Sequence, residues 1–458
     1  MLDATPKKIA NRKALRINPA RTCQPIGALY ASLGIHKCLP HSHGSQGCVS
    51  FHRMHLTRHF RDPILASTSS FTEGTSVFGG NANLEQAIKN IFHIYNPDII
   101  AIHTTCLSET IGDDIPSILR NIKNVIPDGK YVMHANTPSY AGSHVTGFAN
   151  MTTAFVKYFA EKGRTDFTNY INIIPGFMDP GDIREIKRIL GLLKIPYNLF
   201  PDITNAVDSP MTGRFEFYPP GGTKIDTLKA AGSAAATICL GSFSSLPAGL
   251  ELNTKCGVEP ISLDMPIGIE ATDRFVMKLL NLSGKKIPPS ELIEERGRLV
   301  DLMTDTYFQY HGKRVAVFGD PDIVIPMTDF LLSLGMQPVY CLTGTPGDRF
   351  IREIKRKCEG TDIPGLQVES TGDLFLLHQW IKNEKVDLII GNTYGKYISK
   401  AENIPLVRLG FPVLDRIAYP YFANTGYTGA MRLIEKISSA LLDKQDTVST
   451  DEDFELVM

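Results

Sequence analysis

The chain has 458 residues, 43% apolar and 21% charged, and its 47 basic against 48 acidic side chains leave a formal charge of −1. At roughly 100–200 residues per domain this length needs two to four cores, of which three are expected, and the apolar content excludes a disordered chain. A pI near 6.9 excludes the basic face that would neutralise a phosphate backbone or an anionic bilayer, so neither nucleic acid nor membrane is an expected partner.

The polar N-terminal stretch 1–19 carries no apolar signal core, and no run approaches the roughly 20 apolar residues that span a bilayer, so a cytoplasmic location is expected. In the first third the sequence predicts helices over 49–60 and 84–95 and strands over 99–103 and 131–134, in a segment rich in Gly, His, Ser and Cys. Apolar 171–174 reads as a strand, GFMDPGD opens a helix over 183–193, and 197–200 is the next strand. The last third alternates most clearly, with strands over 314–318, 339–342, 366–369, 386–390 and 406–409 and helices over 322–334, 349–358, 373–384 and 429–443. Such βαβ alternation demands a parallel sheet covered on both faces. VAVFGDPD repeats the strand-turn-helix chemistry of the middle segment as a weak internal repeat. The expected class is α/β, three Rossmann-like domains with mostly parallel sheets flanked by helices, divided near 1–150, 151–308 and 309–458.

Eight cysteines scattered through a long chain without a secretory signal disfavour a disulfide framework, and no CxxC occurs, so any metal cluster must gather ligands from distant segments. Cys106 follows the strand IIAIHTT directly, at the carboxyl end where open parallel sheets bind ligands; alone it reads equally as a buried structural thiol or a ligand. Ser139 follows the strand from Tyr131 in the same way, and alone reads as a turn or cap residue. Cys48 closes HGSQGC and opens a helix whose free N–H groups favour thiolate; Gly44 and Gly47 suit either a tight turn or close approach of a bulky group. Cys23 sits between prolines in INPARTCQP, a positioned rather than a core residue. His52, His55 and His59 share a helix face, but without HExxH or a carboxylate among them they read as packed or solvated rather than as a zinc site. Asp113 and Asp114, before Pro116, read as a helix cap, and Asp301 and Asp305 as a solvated acidic face that a third carboxylate would turn into a hard-cation site.

Together INPARTCQPIGA, HGSQGC, ASTSSFTEG, VFGG, TTCLSETIGDD, NTPSYAGSHVTGF, RGRLVDLMTD and GNTYGK, in this order and nearly end to end, resemble the β chains of molybdenum-iron nitrogenase. HGSQGC is similar to the molybdenum type, where vanadium and iron-only chains have HGGQGC. The resemblance implies that Cys23, Cys48 and Cys106 are thiolate ligands of the P-cluster, an 8Fe-7S centre shared with an α chain, and that Ser139 binds cluster iron when the centre is oxidised. It implies that Phe78 is where the ATP-hydrolysing iron protein docks. It also implies that Asp301 and Asp305, with Asp62 from across a β–β interface, hold a cation, iron or calcium. Asp62 stands where relatives often have Glu, Phe51 where a tyrosine is often found, and the chain looks like the short form lacking a long N-terminal extension.

The implied function is electron relay from the iron protein through the P-cluster to the iron-molybdenum cofactor of the α chain, within an α2β2 tetramer that reduces dinitrogen to ammonia. An assembly scaffold for that cofactor shares the fold but does not keep this whole set of residues. A related reductase of the chlorophyll pathway lacks the β–β acidic site, and a cluster-free α/β binding protein is what composition alone supports.

Overall fold

A computed structural model describes residues 5–10, 12, 15–163, 169–214 and 216–450, so part of the N-terminal stretch read as lacking a signal core lies outside the described residues. The chain divides into two compact units, one of Thr22–Leu263 with Ile417–Ala423, the other of Met1–Arg21, Asp264–Arg416 and Asn424–Met458.

The first unit holds two wholly parallel sheets. One is built from β1 (Cys38–His43), β2 (Ser67–Thr68), β3 (Ile99–Thr104) and β4 (Tyr131–Ala135), in the order β2-β1-β3-β4. The other contains β5 (Ile171–Ile174), β6 (Tyr197–Leu199), β7 (Ala236–Leu240) and β8 (Pro260–Leu263), in the order β6-β5-β7-β8. Register in the first sheet runs from Cys38↔Ile99 to His43↔Thr104 and from Ile99↔Tyr131 to His103↔Ala135, so the carboxyl ends of β1, β3 and β4 are level. The helices are α1 (Gln24–Leu33), α2 (Gln46–Phe60), α3 (Glu73–Phe78), α4 (Asn81–Tyr95), α5 (Cys106–Ile111), α6 (Ile115–Asn121) and α7 (His144–Phe159). Leu84, Ile88 and Ile91 of α4 and Ile115 and Ile118 of α6 pack on Leu39, Ile100 and Ile102 of the sheet, each fully buried aliphatic contributing about 1.5–3 kcal/mol.

The second unit contains one parallel sheet of β9 (Arg314–Gly319), β10 (Gln337–Thr343), β11 (Gln367–Glu369), β12 (Leu388–Gly391) and β13 (Leu406–Arg408). Its order, β11-β10-β9-β12-β13, is that of a Rossmann sheet growing outward in both directions from its first strand. The strands and helices expected over 314–443 form within a few residues of their predicted bounds, and the parallel α/β class is as expected.

Two differences matter for the site. The helix carrying Cys48 begins at Gln46, so Cys48 is its third residue rather than the residue before it. The strand β1, CLPHSH, was not expected, because a proline and three polar residues hide a segment that is buried at every position.

Candidate functional site

The level carboxyl ends of β1, β3 and β4 place three loops side by side. β1 leads through Gly44 and Ser45 into the first turn of α2 and Cys48, β3 leads into Cys106 as the first residue of α5, and β4 leads to Ser139. Cys23, the N-cap of α1, joins them because α1 lies against α7 at backbone distance. A Cβ on Gly27 would fall 1.7 Å from the His144 carbonyl oxygen, and one on Gly147 would fall 1.9 Å from that of Gln24, so only glycine permits this approach.

Main-chain ties fix the loops. Gln24 Nε2 donates to Pro138 O at 2.8 Å, binding the residue after Cys23 to the residue before Ser139. Thr137 donates from N to Thr104 Oγ1 (2.7 Å) and from Oγ1 to Thr104 O (2.6 Å), holding the β4 exit beside the β3 exit. Thr105 donates from Oγ1 to His43 O at 3.1 Å, and a Cβ on Gly44 would strike that hydroxyl. Gly44 is thus required by a close approach within the protein, whereas a Cβ on Gly47 would meet only Ser45 Oγ, at 3.9 Å. Ser45 Oγ lies 3.5 Å from Cys48 Sγ as donor. Gln24, Thr105 and Thr137 were not singled out by sequence; the pairing of Thr105 with Ser108, whose Oγ accepts from the Thr105 N–H at 2.9 Å, is the helix-start signal by which Thr105 could have been found.

The four side chains named from sequence meet. Burial pushes the Cys23 thiol up to about 11; its own main chain opposes this, the neighbouring Cys48 and Cys106 sulfurs add to it, and a hydrogen bond from Ser139 lowers it again. Three sulfurs within electrostatic reach of one another are poorly served as free thiolates, and a multiply charged cationic group among them is what such a donor set fits. Among the described residues no three His, Cys, Asp or Glu side chains are grouped so as to hold a single ion. Cys23 and Cys48 are half-buried and Cys106 is exposed, while Cys38, Cys239, Cys256, Cys341 and Cys358 are all buried. The structural reading of Cys106 is thereby set aside.

His52, His55 and His59 are packed: all three are buried, His59 Nε2 lies 2.7 Å from Asp179 Oδ1, and His55 Nδ1 lies 3.2 Å from Phe51 O. Of the acidic pair, Asp114 caps α6 by accepting from the Ser117 N–H, but Asp113 does not cap; its carboxylate faces His43 and the Gly80 N–H. Phe78, the last residue of α3, is 90% exposed. Asp62 is half-buried, with burial and the nearby Asp208 raising its carboxyl above the usual range. Asp301 and Asp305 lie exposed on the helix Ser290–Asp305. No helix of the described residues is long and apolar enough to cross a membrane.

The profile of the nitrogenase component 1 type oxidoreductases matches residues 23–442, and the chain belongs to that family. It is 54% identical, over all of both chains, to the nitrogenase molybdenum-iron protein beta chain of Clostridium pasteurianum. The corresponding beta chain of Azotobacter vinelandii is 39% identical, over 95% of this chain and 86% of its own. The solved structure described as nitrogenase Cp1 at pH 6.5 contains a chain that superposes with a TM-score of 0.97 at 54% identity, all of both chains covered. A chain described as nitrogenase Cp1 at pH 5 shares the fold at a TM-score of 0.72 and 17% identity, over 98% of this chain and 94% of its own. The enzyme to which this chain contributes is nitrogenase, and its part is that of a β chain.

Proposed function

We propose that Cys23, Cys48 and Cys106 ligate one side of an 8Fe-7S P-cluster whose other ligands come from an α chain, with Ser139 as an auxiliary oxygen ligand. When bound, that cluster supplies one-electron relay between the iron protein and the iron-molybdenum cofactor of the α chain. The observation that carries this reading is the contrast among the cysteines: Cys23, Cys48 and Cys106 stand together at helix starts and are half-buried or exposed, while five are buried. Half-exposed thiols in a single chain suit a group completed by a second chain. The residues of this chain orient the ligands, with Ser139 hydrogen-bonding the Cys23 sulfur and Ser45 the Cys48 sulfur, contacts that tune a cluster's potential.

Phe78, with Val77 beside it at 72% exposure, offers an aromatic anchor for the iron protein. The helix Ser290–Asp305 exposes Ile293 and Val300, and Phe308 follows it at 78% exposure, so Asp301 and Asp305 have exposed apolar side chains nearby in the chain that a second β chain would cover. Asp62 of that second chain would complete an oxygen site for iron or calcium in an α2β2 assembly. The three-domain division at 150 and 308 goes with this reading as one domain per parallel sheet.

The test is the iron, molybdenum and vanadium content of the complex isolated without oxygen. Abundant iron with molybdenum equimolar to this chain is expected; little iron would refute the cluster, and vanadium in place of molybdenum would refute the type. Asp301→Asn combined with Asp305→Asn should remove metal that is not acid-labile iron-sulfur and leave the cluster iron unchanged.

A further inference from the structure

We infer that the buried Asp113–His43 pair is a positioning link that joins the surface around Phe78 to the loops carrying Cys48 and Cys106. The inference rests on the docking and cluster reading above.

Behind Phe78 the chain turns through Gly79, at φ +91°, and Gly80. The Gly80 N–H donates to both Asp113 carboxylate oxygens, at 3.2 and 3.1 Å. Asp113 Oδ2 lies 3.0 Å from His43 Nε2, and His43 Nδ1 lies 2.8 Å from Ser69 Oγ, which in turn lies 2.8 Å from His41 Nε2. An ionised Asp113 makes Nε2 the donor and leaves Nδ1 to accept from Ser69. The pair is enclosed, the His43 side chain being 0% and the Asp113 side chain 5% exposed.

Packing follows the same route. A Cβ on Gly80 would lie 2.4 Å from the Phe71 ring and 2.7 Å from His43 Cε1. Phe71 meets His43 edge-on at 4.8 Å between ring centroids, and its N–H donates to Gly44 O at 3.0 Å. His43 is the last residue of β1, its carbonyl accepts from Thr105, and five residues further on stands Cys48. From the glycines behind Phe78 to the segments before Cys48 and Cys106 there is thus a run of direct contacts through one imidazole–carboxyl hydrogen bond. Close-packed groups of this kind transmit displacement instead of absorbing it.

The experiment compares Asp113→Ala, Asp113→Asn and His43→Gln with Phe78→Ala in the assembled complex. It reads iron content, affinity for the iron protein and the rate of electron transfer within the docked pair. Asp113→Ala is expected to keep its iron and its affinity while slowing transfer by about tenfold, within the range by which residues along a coupling route act. Asp113→Asn, which retains an acceptor for Gly80, should recover most of that rate. Full iron with a wild-type transfer rate in Asp113→Ala would overturn the link. So would a loss of affinity like that of Phe78→Ala with the transfer rate unchanged, since the pair would then only shape the surface. If Asp113→Ala loses iron, His43→Gln, whose amide reaches toward Asp113, decides by the same criteria. A wild-type complex without iron overturns the cluster reading, and the link with it, whereas an iron-replete wild type with indifferent variants overturns the link alone.

Discussion

Replacing Gly27 with alanine tests whether Cys23 is held in place by the backbone contact between α1 and α7. The added methyl would lie 1.7 Å from the His144 carbonyl oxygen and 2.7 Å from the Phe148 nitrogen, both main-chain atoms that no rotamer change can move. Overpacking of this kind costs about 1–3 kcal/mol, and the backbone contact puts this site near the upper end. Alanine's better helix propensity returns up to about 1 kcal/mol, leaving a net loss of about 2 kcal/mol. For a unit of this size that lowers the apparent unfolding midpoint by about 4–8 °C. Because Cys23 precedes Gly27 by one helical turn, iron content per chain should fall with stability. Gly191→Ala is the control: this exposed helical glycine has nothing within 4 Å of where the new methyl would lie, so the midpoint should rise by about 1–3 °C with iron unchanged. Midpoints are compared by scanning calorimetry at one scan rate, alongside iron analysis. A Gly27→Ala protein as stable as the wild type and full in iron would refute the reasoning.

Phe78→Ala should weaken binding of the iron protein by about 30-fold, the loss typical of a buried aromatic anchor at about 2 kcal/mol, without changing iron content; titration of the complex measures it. Cys106→Ala should lose cluster iron, whereas Cys341→Ala, a buried thiol 3.6 Å from Thr328 Oγ1, should cost about 1 kcal/mol of stability and keep the iron; equal iron in the two would count against the assignment. Burial, aided by His43, lowers the His41 imidazole to about 3, and burial, aided by His55, lowers that of His52 to about 4. The unfolded chain takes up these protons near pH 6.5 while the folded chain does not. Their neutral state therefore costs no stability above about pH 6.5, and stability falls as the pH drops from there toward 4, by on the order of 1 kcal/mol per pH unit for each histidine. Denaturant midpoints that stay level between pH 7 and 5 would contradict this.

Local pattern by itself determined the parallel α/β class, because an apolar run of four to six residues followed by a capped amphipathic helix has few other ways to bury its faces. The same pattern put Cys106 and Ser139 at strand ends and Cys48 at a helix start, and the order of the motifs placed them in one family. What only the tertiary structure decided is whatever depends on a partner distant in sequence. CLPHSH carries no strand pattern, since Pro40 argues against an interior strand, yet it is the strand β1, where Ser67, Ser69 and His103 supply hydrogen bonds to His41, Ser42 and His43 that no local pattern announces. Asp113 looks like its capping neighbour Asp114 until the fold brings His43 and Gly80 to it. Gly27 is one glycine among 38 in the sequence, and it holds Cys23 in place only because Gly147 lies on the facing helix, where two backbones meet closer than any side chain allows.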